Sequence, residues 1–165
     1  MMKFTVVLCA VFSIFLSSSP SRACDCGGQG KKAAAPVAES VHGDVQGHRN
    51  CFHCGMDRER FYRSRMLVTY VDGTVVGTCS LHCMATELKD SQGKNIKSVE
   101  VADYNTGLLI AAEKAFWVIG GDQRGVMTST PKWAFAEKTA ATAFMAKHGG
   151  KGATYGEALT SAEQE

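Results

Sequence analysis

The sequence predicts an α+β protein built of two small strand-strand-helix-strand (ββαβ-like) units packed together, the first of them treble-clef-like. Two observations carry this. Residues 61–88 alternate as a hairpin and then change to a helical period, and the order strand, turn, strand, helix recurs weakly after residue 94. The first unit also holds a Cys-x2-Cys and a Cys-x3-Cys pair, one before the hairpin and one at the start of the helix.

Residues 1–23 are excluded from that fold. Lys3 precedes the largely apolar residues 4–16, and a polar Ser/Pro segment ends in Ser21-Arg22-Ala23, the order of a secretory signal peptide. The apolar run is too short to span a bilayer, so the expectation is export to the periplasm. Ala23-Cys24 also resembles the end of a lipobox, which makes Cys24 a candidate lipidation site. Acylation there would anchor a soluble domain to the membrane.

Cleavage removes Lys3 and Arg22 from the 18 basic residues, leaving 16 against 16 acidic ones. A neutral mature chain gives no electrostatic reason to bind nucleic acid. About 140 residues remain, enough for one ordinary core or two small ones sharing an interface. Residues 24–50 are rich in Gly, Ala and charge without apolar periodicity and read as a flexible tether, with Cys24, Cys26, His42 and His48 as incidental spacer residues or transient metal contacts.

Residues 51–93 form the first unit of a metal-binding domain spanning 51–160. In CFHCGM, Gly55 permits a tight knuckle that brings Cys51 and Cys54 together. Residues 61–71 alternate as a strand, with Met66, Val68 and Tyr70 on one face. Asp72-Gly73 makes the turn and residues 74–78 return. Ser80 is the expected N-cap of a helix whose Leu81, Met84, Ala85 and Leu88 share a face. Cys79 and Cys83 therefore sit at a helix start, where unpaired N–H groups favour the thiolate. Gly77 marks a bulge or a close backbone approach, and Arg58, Arg60, Arg63 and Arg65 read as a solvated strand face.

Residues 94–160 form the second unit. Strands are expected at 99–103 and 115–119, the latter with bulky Phe116 and Trp117. Thr130 and Pro131 predict the start of a helix that buries Ala136, Ala140, Ala143 and Phe144 and stops at Gly149-Gly150. Residues 161–165 are a C-terminal tail.

The six cysteines that survive cleavage would suggest disulfides in an exported chain. Their pairs are too close in sequence to staple distant elements, and His53, His82, Met56 and Met84 cluster with them, so metal binding is the preferred reading. Cys51-x2-Cys54-x24-Cys79-x3-Cys83 is specific for a treble-clef site, but its spacing does not name the metal. Four thiolates suit Zn(II), whereas Cu(I) is satisfied by two or three soft ligands. His53 and His82 are candidate further ligands or solvent-facing neighbours. His148, at a helix C-terminus, complements the helix dipole and is left out of the site. The sequence lacks a Cys-x-x-Cys-His haem motif, a phosphate loop and a nucleotide-binding glycine motif. CFHCGM precedes a strand, unlike the strand-to-helix position of a thioredoxin-type pair. The reading is of a binding protein, not an enzyme.

CFHCGM, the hairpin ending in DGTVVGTCSLHCMATEL, and the later TGLLIAAEKAFWVIGG, GVM, AKHGG and TYGEAL segments resemble the NosL accessory proteins of nitrous oxide reductase. More loosely they resemble TRASH or YHS treble-clef modules. The likeness covers residues 50–160. It implies two packed α+β units, binding of Cu(I), and supply of copper to a maturing periplasmic enzyme, nitrous oxide reductase being expected, with a copper donor as second partner. It assigns Cys51, Cys54 and Met56 to the family's first motif and Met127 to a methionine that usually follows a proline. Here Val126 replaces that proline and Thr128 stands where a glycine is common. Without the resemblance, Met127 reads as an ordinary loop methionine.

Overall fold

The backbone just before Cys51 folds because one carboxylate there has two cationic partners. In the computed structural model, which describes residues 42–165, Gly43–Gly47 form a short helix, α1, with Val45 buried. Asp44 receives hydrogen bonds from Arg58 Nη2 at 2.6 Å and Arg65 Nη2 at 2.8 Å. Both arginines are 0% exposed. Arg58 also donates to the carbonyls of Thr78 and Met66, and Arg65 to those of Tyr62 and Gly107.

Two expectations are thereby corrected. Residues 42–50 belong to the fold and not to a tether, and Arg58 and Arg65 are internal braces, whereas Arg60 and Arg63 are exposed. Buried guanidinium groups persist because every one of these contacts replaces water. Residues 1–41, which include the expected signal peptide, Cys24 and Cys26, lie outside the described residues.

The hairpin forms where alternation predicts it, with a later start. Residues 58–64 turn to feed the arginines inward, and β1 runs Met66–Tyr70 with Met66, Val68 and Tyr70 buried. Asp72 Oδ1 accepts from the Thr74 amide at 2.8 Å across the turn, and β2 follows at Val75–Thr78. Ser80 is the extended N-cap of α2, Leu81–Asp90, which buries Leu81, Met84 and Ala85 against the sheet.

β3, Ile96–Ala102, and β4, Leu109–Ala111, then join the first sheet, which has the antiparallel order β2-β1-β3-β4. The expected break at residues 93 and 94 is therefore only a turn. β1 has a free edge once β2 occupies the other, and the backbone of β3 pairs with it, setting Val101 opposite Met66 and Val99 opposite Val68.

A second sheet, order β6-β5-β7, is made of β5 at Phe116–Ile119, β6 at Lys132–Phe135 and β7 at Lys151–Ala153. Residues 132–135 are a strand, not the first turn of a helix as Pro131 suggested. Lys132, Trp133, Ala134 and Phe135 are all buried and pair with β5, a role bulky aromatics fill better than a helix surface does. The helix, α3, begins at Lys138 and ends at His148, capped by Gly149. Its buried residues are Ala141 and Phe144, while Ala136 and Ala143 are exposed.

Period-two alternation lets β5 serve two cores. Trp117 and Ile119 pack into the cluster of Met66, Tyr70 and Met84, and Val118 faces Trp133, Phe135 and Phe144. α4, Tyr155–Glu163, starts at a reciprocal Thr154–Glu157 capping box and buries Ala158 and Ala162 in the first of these cores. The tail expected at 161–165 is largely helix. The T-x-x-E spacing was the available signal. No helix among the described residues is long and apolar enough to cross a membrane.

Gly77 marks a close approach. A Cβ there would lie 2.7 Å from the Arg58 guanidinium and 2.8 Å from His48 Cβ. Arg58 is held by four acceptor groups and cannot retreat. Gly77→Ala is expected to cost about 1–3 kcal/mol of stability, the usual range for overpacking; urea denaturation of the purified protein measures it.

Candidate metal centre

Backbone hydrogen bonds shape the knuckle before any side chain contributes. The Cys51 amide donates to the Met56 carbonyl at 2.8 Å and the Gly55 amide to the Cys51 carbonyl at 2.9 Å. Gly55 closes this loop with φ +73, a conformation that side chains disfavour. The Phe52 amide donates to the Gly77 carbonyl at 3.0 Å, which ties the knuckle to β2. Cys79 leaves the end of β2, and Cys83 follows in the first turn of α2.

The result is a cluster in which the sulfurs of Cys51, Cys54, Cys79 and Cys83 all lie within 4.8 Å of one another. The four are free thiols. Cys51, Cys79 and Cys83 are at most 3% exposed, and Cys54 is half-buried. Cys79 is central, with its Sγ 3.4 Å from that of Cys54 and 3.8 Å from that of Cys83. For comparison, a tetrahedral cage with metal–sulfur bonds of about 2.3 Å has edges of about 3.8 Å.

Crowding sets the charge state. Hydrogen bonds from the Cys79 and Cys83 thiols pull the Cys51 pKa far below the ordinary thiol value, against the opposing effect of burial. The same contacts, with burial, push Cys79 up strongly, and Cys83 is pushed up to about 12. Gathering four thiols in so small a volume makes it costly to ionise them together unless a cation compensates the charge. Binding a soft metal ion displaces protons, so affinity weakens as pH falls.

The other candidate ligands are distributed unequally. Met56 packs against the sulfur cluster. Met127 lies in the loop between β5 and β6, 41% exposed and in the left-handed region at φ 55. Its neighbour Val126 touches the cysteine cluster, and Met56 and Met127 line one open pocket of about 670 Å3. Thr128 donates to Glu165, and Glu165 Oε1 also accepts from the Thr130 amide at 3.1 Å and Lys132 Nζ at 3.0 Å, pinning the loop beside Met127.

Neither histidine of the cysteine motifs is among the clustered groups. His53 Nε2 donates to Glu87 Oε2 at 2.9 Å. Burial works against the charge on Glu87, but donors from Ser91, Tyr70 and His53 outweigh it and hold its carboxyl below the usual range. His82 lines a groove with Ala85 and Ala162, and its Nδ1 is 4.0 Å from Glu165 Oε2. His42 pairs with Glu59 and packs on the Tyr62 ring.

Sequence reasoning missed Asp44, Glu87 and Glu165. Glu87 was the most legible, since it follows Cys83 by one helical turn and lies beside Leu88 on a buried face, where a carboxylate needs partners. Asp44 and Glu165 lie far in sequence from what they hold and carry no local signal.

The sequence profile of the NosL family matches residues 42–162, beginning just before α1. Among solved structures, the crystal structure of the copper chaperone NosL from Shewanella denitrificans is similar, with a TM-score of 0.53 and 27% identity over 66% of this chain and 87% of that one. No curated protein matches the sequence. The profile covers most of the chain, including the four-cysteine cluster and both sheets, and the chain therefore belongs to the NosL family.

Proposed function

We propose that this chain is a copper chaperone that carries Cu(I) as cargo and hands it to a copper-receiving apo-enzyme, with nitrous oxide reductase the expected client. The single observation that carries this is the cluster of four sulfurs within 4.8 Å, opening through half-buried Cys54. The similarity to a copper chaperone of the same family supports it.

The chemistry follows from the gradation of ligands. Buried thiolates supply strong soft donors, and the neutral thioethers of Met56 and Met127 supply weaker ones toward the pocket. A Cu(I) ion needs only two or three donors, so incoming ligands of a partner can replace them one at a time. In this reading residues 1–23 direct export to the periplasm, acylation of Cys24 tethers the domain to the membrane, and the chain catalyses no reaction of its own.

A second reading has its own observation. The 3.8 Å between the Cys79 and Cys83 sulfurs equals the edge of a tetrahedral zinc–thiolate cage, and four thiols are the donor set of a closed zinc site, which would make the site structural. Metal analysis of protein purified anaerobically, followed by Cu(I) titration against a chromogenic chelator, separates the two. Stoichiometric Cu(I) binding supports the chaperone; stoichiometric zinc that added Cu(I) does not displace overturns it. Met127→Ala is expected to weaken Cu(I) binding about tenfold or more, in the range seen for supporting groups at metal sites, with an unchanged melting temperature. Unchanged affinity would remove Met127 from the site.

A further inference from the structure

The pocket between Met56 and Met127 has a charge character that copper binding does not require. Arg60, Arg63 and Arg124 line it, and it contains no acidic residue. The mature chain is neutral, with 16 acidic residues balancing what remains of 18 basic ones, so this is a local concentration of charge. None of the three side chains makes an ion pair among the described residues, in contrast to Arg58 and Arg65. Two are held on aromatic rings: the Arg60 guanidinium is 5.7 Å from the centre of Phe61, and that of Arg63 is 5.2 Å from both Tyr62 and Tyr104. Stacking of this kind fixes the guanidinium plane and leaves its edge to bind carboxylates. Trp133, buried in the pocket wall, has an indole Nε1–H without a hydrogen-bond partner.

We infer that this pocket is a docking cleft for an acidic segment of the protein that exchanges copper with this chain. The inference rests on the chaperone reading for the partner's role, and it adds the partner's chemistry. At about 670 Å3 the pocket is of a size that takes several groups of a bound ligand. Its concavity suits an extended segment better than a flat bilayer. Carboxylates at the arginine rim steer association and fix register, and they bring the partner's own ligands beside the two methionines.

The test uses the reduced, metal-free, 15N-labelled protein and a short blocked peptide of glutamates and aspartates around one methionine. Expected are chemical-shift changes at Arg124, Met127 and the Trp133 indole. The Trp117 indole, bonded to the Ala112 carbonyl at 2.9 Å, stays in place. The double variant Arg60→Glu/Arg124→Glu is expected to weaken the peptide at least about tenfold while leaving Cu(I) affinity and melting temperature unchanged. Higher ionic strength weakens the wild-type complex severalfold. Wild-type-like binding by the double variant, or shifts outside the pocket, overturns the proposal. So do equal shifts caused by inorganic phosphate, or displacement of the peptide by phosphatidylglycerol vesicles. Because the protein is metal-free, a failure of copper binding and a failure of docking are read separately.

Discussion

Replacing Asp44 by alanine is expected to remove about 3–5 kcal/mol of folding stability, the range for breaking a buried ion pair by deleting one partner. The size follows from what is left behind. Arg58 and Arg65 are fully buried, and Asp44 is the carboxylate that both contact. Burial opposes ionisation of Asp44, but hydrogen bonds and attraction from Arg65 and then Arg58 outweigh it, so its carboxyl titrates below the usual range. A lowered folded pKa contributes stability that is fully present above the unfolded value of about 3.9 and is lost as pH falls through the folded value. The wild type and Asp44→Ala should therefore differ most near neutrality and converge in acid below about pH 4. Urea denaturation at several pH values measures both effects. A loss under about 1 kcal/mol at pH 7 would show that water reaches the two guanidinium groups.

Cys79→Ser is expected to lower the affinity for Cu(I) by more than about 100-fold, beyond what loss of a supporting group costs at a metal site. Cys79 is fully buried, touches Cys54 and Cys83, and lies within 4.8 Å of the Cys51 sulfur. A serine oxygen is a hard, weakly acidic ligand and cannot replace it for a soft ion. Competition with a chromogenic chelator reads the loss, and the same titration with Zn(II) shows whether the site discriminates. Retained affinity would mean that copper is held without the central sulfur, by ligands drawn from Cys51, Cys54, Cys83 and the methionines. Asp44→Ala and Cys79→Ser thus divide the molecule into scaffold and site, the first losing stability and the second losing metal.

The knuckle, the hairpin, the cysteine-bearing helix start and the glycine stop after residue 148 were all legible as local patterns. Each depends on residues a few positions apart: Gly55 beside two cysteines, Asp72-Gly73 between alternating strands, Ser80 ahead of a helical stripe. The placement of β6 was not legible, because Thr130-Pro131 is as acceptable before a strand as before a helix, and burial against β5 chose between them. The internal arginines were misread for the same kind of reason. Arg58, Arg60, Arg63 and Arg65 look alike along the chain, and their separation into braces and rim residues depends on Asp44, whose helix the composition of residues 24–50 concealed.

The site divides along the same line. Amino-acid order supplies four thiols at a spacing that a knuckle and a helix start can bring together, and that inference needs nothing beyond short-range geometry. Three-dimensional packing was required to gather them within 4.8 Å, to turn His53 toward Glu87, and to set Met127 on the rim of a pocket shared with Met56. These outcomes depend on contacts between residues tens of positions apart, and such contacts leave no period or motif in the sequence, since what selects them is the burial of surface and charge that exists only once the chain has closed on itself.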